Sequence, residues 1–129
     1  MALVETEQQG HVFIVRMNRP ERLNALSHEM RTELAQAWSE FREGEALEVG
    51  IFTGAGRAFC AGEDMKESLV DGAPGGRRAE IEDPFMSGAL EKPVIGAING
   101  YAMGGGFMLV ERTDLRVAVD TAVFEISEA

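Results

Sequence analysis

Residues 92–106 read KPVIGAINGYAMGGG, and this stretch decides the fold of the chain. Val94 to Ile98 is a continuous apolar run, which is typical of a strand covered on both faces. The glycine triplet Gly104 to Gly106 then opens a pattern that predicts a helix from about Gly105 to Arg112. Small residues at such a junction let a ligand approach the backbone, where the first turn of a helix leaves N–H groups unpaired.

Another segment of the same kind lies upstream at residues 56–64, GRAFCAGED, and is the first of the two small-residue segments along the chain. It follows a buried-looking strand over Glu48 to Thr53 and precedes a short helix predicted over Gly62 to Leu69. Two N–H groups that converged on one oxygen would form an oxyanion hole, which stabilises negative charge as it develops in a reaction. Taken alone, each segment is more typical of an ordinary tight turn.

The remaining pattern alternates strands with helices, which indicates an α/β domain. Ser27 is a candidate N-cap for a helix that runs to Arg42 and ends near Gly44, with Glu29 in its first turn. Pro84 either interrupts or opens a turn in a partly helical stretch over Arg77 to Leu90. The other predicted elements are a β-hairpin formed by Leu3–Glu7 and His11–Met17, and strands over Leu115–Val119 and Thr121–Phe124.

Composition excludes several classes of protein. The 129 residues carry a formal net charge of −10, which argues against a nucleic-acid-binding face. The single cysteine, Cys60, excludes an internal disulfide, and no Cys/His cluster suggests zinc or another metal. No apolar stretch is long enough to span a bilayer, and the acidic N-terminus lacks the basic region of a signal peptide, so we expect a cytoplasmic protein.

Four segments together resemble the crotonase family of enoyl-CoA hydratases and isomerases. FCAGEDMKE at 59–67 is similar to the first signature of that family, and KPVIGAINGYAMGGG to the second. NRPERLNALS at 18–27 resembles the segment after the opening hairpin, and TDLRVAVDTAVFEISEA at 113–129 resembles the strands and loop that follow. The four occur in the order and spacing of the family.

The resemblance implies a set of binding residues. The two oxyanion donors of the family carry over to the backbone N–H groups of Ala61 and Gly105. Through them a CoA thioester carbonyl could develop enolate character. Arg22, a candidate phosphate partner, is equally consistent with a solvated surface arginine. The resemblance further implies contacts to CoA or the acyl group from Arg22, Leu23, Gly62, Glu63, Asp64 and Met108.

Proton transfer is where the sequence departs from the family pattern. A hydratase of the family resembles a two-acid enzyme, and its first acid carries over to Met108, which cannot hold a proton. The second carries over to Glu128, the one candidate general acid/base, for which an exposed glutamate is the alternative. Glu111 lies about one helical turn from Met108, so we do not expect its carboxylate to reach the same substrate atom and replace the missing first acid. Glu125 stands where the family commonly has a small residue.

The resemblance also implies the extent and setting of the protein. Residues 1–129 match the N-terminal part of a single crotonase-like (ClpP/crotonase) ββα spiral domain, and the C-terminal part is absent. A full-length parent would be a homotrimer or hexamer acting on acyl-CoA in fatty acid metabolism, with no cofactor other than the CoA of its substrate. Two function classes remain. The first is an acyl-CoA enzyme, which is a hydratase, a one-base double-bond isomerase, or a hydrolase or decarboxylase that uses the same oxyanion hole. The second is a non-catalytic remnant that binds CoA or a partner without turnover.

Overall fold

The computed structural model describes residues 2–65 and 82–126 of the chain. A 3-10 turn at Pro20–Arg22 precedes the first helix. The helices are α1 (His28–Glu43), α2 (Pro84–Ser87) and α3 (Gly105–Arg112). The strands are β1 (Val4–Gln9), β2 (Val12–Met17), β3 (Val49–Gly54), β4 (Ala58–Cys60), β5 (Val94–Ile98), β6 (Tyr101–Met103), β7 (Leu115–Ala118) and β8 (Phe124–Glu125).

The main sheet has five strands in the order β1-β2-β3-β5-β7. β1 and β2 form the predicted antiparallel hairpin, and Gly10 turns the chain between them at a φ of 60°. Every other neighbouring pair in this sheet is parallel. Parallel neighbours require crossover connections, which α1 and the later helices supply. The predicted α/β class is therefore confirmed.

Helix α1 follows its sequence signals. The Ser27 side chain accepts a hydrogen bond from the Met30 N–H, as an N-cap should, and the helix ends at Gly44. The Lys92 ammonium donates to the carbonyl oxygens of Phe41 and Gly44 at this C-terminal end, where the helix dipole favours a cation. The buried face carries apolar residues at helical spacing, as predicted: Met30, Leu34, Ala35, Ala37, Trp38 and Phe41.

The aromatic core links the two sheets to the helices. Trp38 stacks on Phe85 of α2, with ring centroids 4.8 Å apart, and meets Phe52 of β3 edge-on at 5.1 Å. Phe52 in turn meets Phe59 of β4 edge-on at 5.1 Å. All four rings are almost completely buried. Because Phe59 immediately precedes Cys60 within residues 56–64, this core fixes the position of that small-residue segment.

A second sheet was not predicted from the sequence. β4, β6 and β8 pair in parallel, and each contains only two or three residues, too few for a period-two pattern to show. The strand predicted over Thr121–Phe124 is therefore shifted, to Phe124–Glu125. β5, which was predicted to be covered on both faces, has no exposed residue, but its residues alternate between buried and half-buried, so one face is covered completely and the other only partly.

Several predictions fall on residues outside the described ranges. They are Glu128, residues 66–69 of the helix predicted over Gly62–Leu69, and the start of the partly helical stretch before Pro84. The predicted start of that helix was wrong, because residues 62–64 are not helical and Glu63 forms a bridge with Leu26. Pro84 itself opens α2, with Asp83 as its N-cap. Within residues 2–65 and 82–126, no helix combines the length and hydropathy needed to span a bilayer.

Candidate active site

The two small-residue segments meet in the structure. A Cβ built on Gly62 would lie 3.5 Å from the Gly105 nitrogen and 2.9 Å from the Met103 carbonyl oxygen. A Cβ on Gly105 would in turn lie 3.9 Å from the Gly62 Cα. Gly62 also has a φ of 98°, a conformation that residues with a side chain rarely adopt. Glycine is therefore required here both by the backbone conformation and by the approach of the second segment.

The contact is even closer one residue along α3. A Cβ on Gly106 would lie 2.1 Å from the carbonyl oxygen of Cys60, so only hydrogen fits between these backbones. Gly105 is the first residue of α3, and its N–H therefore has no acceptor within the helix. The N-terminus of α3 is thus held against residues 60–62, with a helix N–H group at the point of contact.

Hydrogen bonds hold the first segment from its other side. Leu26 and Glu63 form a parallel bridge in which the Leu26 N–H donates to Gly62 O at 2.7 Å and the Asp64 N–H donates to Leu26 O at 3.1 Å. The buried Asp64 carboxylate pairs with Arg19 at 2.8 Å and with Arg22 at 3.6 Å. Asp64 therefore anchors the segment, in agreement with a structural role rather than a catalytic one.

The structure does not favour the predicted donor role of Ala61. Its N–H donates to the Leu23 carbonyl at 3.0 Å, so this group is directed at the protein and not at a ligand. Leu23 has a left-handed backbone conformation, with a φ of 53°, which turns its carbonyl towards Ala61. Leu23 therefore shapes the site through its carbonyl, and its predicted contact with CoA stays a prediction.

Two asparagines that the sequence reasoning missed fix the loop before β4. The fully buried Asn24 accepts from the Arg19 N–H at 2.8 Å and donates to the carbonyls of Ala55 and Ala58. Asn99 accepts from the Gly54 N–H at 3.1 Å and donates to the carbonyls of Gly56 and Ala58. The signal was available, because asparagine beside a turn commonly satisfies loop backbone groups.

A cavity of about 380 Å³ opens beside the contact between the two segments. Leu26 and Arg31 line it, and the same two side chains are near the Cβ position of Gly105, at 3.3 Å and 3.9 Å. This volume and mostly apolar lining are typical of small-molecule sites. The remaining lining residues are Leu34, Glu82, Asp83, Met86, Ser87 and Leu109.

Among the described residues, Arg31, Glu82 and Asp83 are the charged residues that line the cavity, and Glu63 lies next to it. The Arg31 guanidinium forms an ion pair with Glu63, and both side chains are largely buried. Burial raises the pKa of the Asp83 carboxyl, while hydrogen bonds from the N–H groups of Met86 and Phe85 and the charge of Arg31 oppose that rise. The wall therefore carries charges in an otherwise apolar surface.

Cys60 is a packing residue in the core. Its side chain is completely buried, and burial raises the pKa of its thiol to about 12. A nucleophilic or redox-active cysteine requires the thiolate near neutral pH. The structure thus excludes thiolate chemistry at this position in the folded protein.

Met108 lies in the first turn of α3, immediately after Phe107, which follows the glycine triplet. Its side chain is 48% exposed, so it does not fill an apolar gap within the described part of the chain. Glu111 and Glu125 are both exposed, and Phe107 meets Phe124 edge-on with ring centroids 6.1 Å apart.

Arg22 is partly exposed at 35% of its side chain while it faces Asp64.

Comparisons with known proteins agree with this geometry. The enoyl-CoA hydratase EchA19 of Mycobacterium tuberculosis is 42% identical over all of this chain and 53% of its own length. The (E)-benzylidenesuccinyl-CoA hydratase of Thauera aromatica is 38% identical over 97% of this chain and 50% of its own. An enoyl-CoA hydratase structure from Bacillus anthracis superposes with a TM-score of 0.85 at 32% identity, covering 98% of this chain and 51% of that one.

The chain spans about half the length of the curated relatives and solved structures it matches. The superposition confirms the predicted fold class, the N-terminal portion of the crotonase fold. The model of the enoyl-CoA hydratase/isomerase family matches residues 7–129. The chain belongs to the enoyl-CoA hydratase/isomerase family.

Proposed function

We propose that this chain forms the thioester-binding part of an acyl-CoA enzyme that stabilises an enolate. The observation that carries the proposal is the contact of Gly62 with Gly105 beside an apolar cavity. A helix N–H at the mouth of such a cavity is suited to polarise a carbonyl oxygen. The apolar lining would receive the acyl chain.

The Gly105 N–H is one proposed donor. The second proposed donor is the N–H of Glu63, the residue that follows Gly62 in the same segment as Ala61. In the parallel bridge with Leu26, the N–H groups used are those of Leu26 and Asp64, so the Glu63 N–H is directed to the opposite side of its strand. Glu63 thus replaces Ala61 as the proposed second donor.

The anionic CoA part requires positive charge despite the net charge of −10. Arg22 supplies the proposed phosphate contact, because its guanidinium remains partly exposed while it faces Asp64. The backbone of residues 62–64 is the remaining proposed CoA contact. No cofactor beyond the CoA of the substrate is proposed.

Met108 favours proton transfer by a single base over hydration. Adding water across a double bond employs two acid/base groups, and Met108 provides none. Glu128 is the proposed single base, and it lies outside the described residues. Hydratase activity is the leading alternative, since relatives are named hydratases. A CoA-binding protein without turnover is the second alternative.

Binding and turnover of the chain test the proposal together. Proline is tolerated at the first position of a helix and has no N–H, so Gly105→Pro removes the donor while retaining α3. We expect Gly105→Pro to lower turnover about 100- to 1,000-fold, the usual effect of losing one oxyanion donor. Circular dichroism checks the helix, and calorimetry measures butyryl-CoA binding. Absence of CoA-thioester binding by the wild type would overturn the proposal.

Two assays separate the reactions. One follows hydration of a 2-enoyl-CoA, and the other follows the double-bond shift of a 3-enoyl-CoA. Isomerisation that is lost in Glu128→Gln supports the one-base mechanism, whereas hydration that survives this change refutes it. Met108→Glu should increase hydration by restoring a second acid. Binding with neither activity supports the non-catalytic alternative.

A further inference from the structure

The ion pair between the Arg31 and Glu63 side chains lies at the proposed oxyanion site, where the donor arrangement described above uses only the backbone N–H of Glu63. The Arg31 Nη2 atom is 3.9 Å from the Cβ position of Gly105, and the same atom contacts the Glu63 carboxylate. The pair therefore lies beside the oxygen that Gly105 would polarise. Its side chains are only 18% and 26% exposed, so water screens it weakly.

The position of Arg31 is unfavourable for helix α1 itself. It is the fourth residue of the helix, at the end where the dipole favours anions. It also faces the N-terminus of α3, a second positive end. A cation at this point therefore needs a compensating reason, and nearby carboxylates provide one.

Glu63 supplies the opposing charge. A carboxylate at the thioester oxygen would repel the negative charge that develops there during enolate formation. Its ion pair with Arg31 neutralises that effect. The other charged groups facing Arg31 are Asp83, whose carboxyl interacts with it electrostatically, and Glu82, which lines the same cavity. Arg31 is thus the one cation among the residues that line this cavity in the described part of the chain.

We propose that Arg31 is a positioning residue that sets the electrostatic potential at the thioester oxygen by neutralising Glu63 beside the Gly105 N–H. This inference rests on the proposed function. It predicts that the two members of the ion pair act on an enolate in opposite directions. If the ion pair were purely structural, replacing Arg31 and replacing Glu63 would change the bound enolate in the same direction, because each substitution would break the same contact.

Acetoacetyl-CoA is a suitable probe, because it ionises to an enolate that absorbs in the ultraviolet and its pKa can be measured while bound. Arg31→Met removes the positive charge that is paired with Glu63, so the pKa of the bound probe should rise by about one unit, a tenfold loss of enolate at a given pH. Glu63→Gln removes the carboxylate that contacts Arg31 and retains the Arg31 charge, so that pKa should fall by a similar amount. Arg31→Lys retains the charge and should restore most of the wild-type value.

A matched control is Arg16→Met, which removes an arginine paired with Glu5 at 3.6 Å on the β1–β2 hairpin. It should leave the pKa of the probe unchanged. Butyryl-CoA, which forms no enolate, measures ground-state binding in every variant. Equal or same-direction pKa shifts in Arg31→Met and Glu63→Gln would overturn the role of Arg31. If the wild type does not bind butyryl-CoA, the proposed function is overturned instead.

Discussion

Replacing Gly106 with alanine tests the contact that brings the two segments together. The added Cβ would lie 2.1 Å from the Cys60 carbonyl oxygen, 2.8 Å from its carbon and 2.9 Å from its Cβ. Real Cβ atoms essentially never approach closer than 3.0 Å, so α3 and the Cys60 segment must separate by about 1 Å. Both partners are backbone, so a rotamer change cannot relieve the clash.

Overpacking of this kind costs about 1–3 kcal/mol, and the lack of a flexible partner places Gly106→Ala near the upper end. Alanine gains up to about 1 kcal/mol over glycine from helix propensity. We therefore expect a net loss of about 2 kcal/mol in the free energy of unfolding. This corresponds to a decrease of roughly 8 °C in Tm for a domain of this size.

Trp38, the single tryptophan, is completely buried, so its fluorescence reports unfolding in urea or on heating. Gly105→Ala is the matched control. Its Cβ would approach no closer than 3.3 Å, to the movable Leu26 side chain, so we expect little change in Tm. Gly106→Ala with a Tm equal to or above that of the wild type would refute the close contact, because propensity alone predicts stabilisation.

Three further predictions follow from buried polar groups. Asn24→Ala should lower the free energy of unfolding by about 2–4 kcal/mol, because it removes the acceptor of the Arg19 N–H and the Asn24 donor to the Ala55 carbonyl, and leaves the Ala58 carbonyl with Asn99 as its remaining side-chain donor; a loss below about 1 kcal/mol in urea titrations would contradict this. Native Cys60 should resist iodoacetamide at pH 8.5 and react once unfolded. Because burial raises its pKa from 9.0 to about 12, stability should fall as pH rises between those values, and Cys60→Ala should remove that slope. Asp83→Asn keeps an N-cap but removes a carboxyl whose pKa is raised by burial. The stability that the carboxyl contributes is present at low pH and lost as pH rises through its native pKa, so the variant should match or exceed the wild type at pH 7 with no gain at pH 3.

The sequence predicts elements well where local signals agree. Helix α1 has a capping serine, an apolar stripe and a terminal glycine, and its bounds were predicted within one residue. Helix α3 was predicted at its observed bounds, Gly105–Arg112, because the glycine triplet marks its start. In both cases the local pattern and the tertiary packing require the same structure.

Prediction fails where a property depends on distant partners. Strands β4 and β6 have three residues each, and only their pairing makes them strands. The N–H of Ala61 looks available in the sequence, yet a left-handed Leu23 places a carbonyl in front of it. Arg31 and Asp83 reach one cavity from different helices, and no periodicity within either segment signals that.

The proposed function has two tasks, binding of a thioester with polarisation of its carbonyl and transfer of protons, and they fall on different parts of the structure. The donor side rests on buried contacts, because Phe59, Asn24 and Gly106 fix the meeting of the two segments. The side that would move protons is open, since Met108 is half exposed and Phe124 is 44% exposed. In the proposed function, polarisation of the thioester carbonyl depends on the first set of contacts and not on the second. We therefore expect changes at Gly105 or Arg31 to alter the bound enolate even in a chain that turns over slowly, which makes a bound probe a more direct test of this site than a reaction rate.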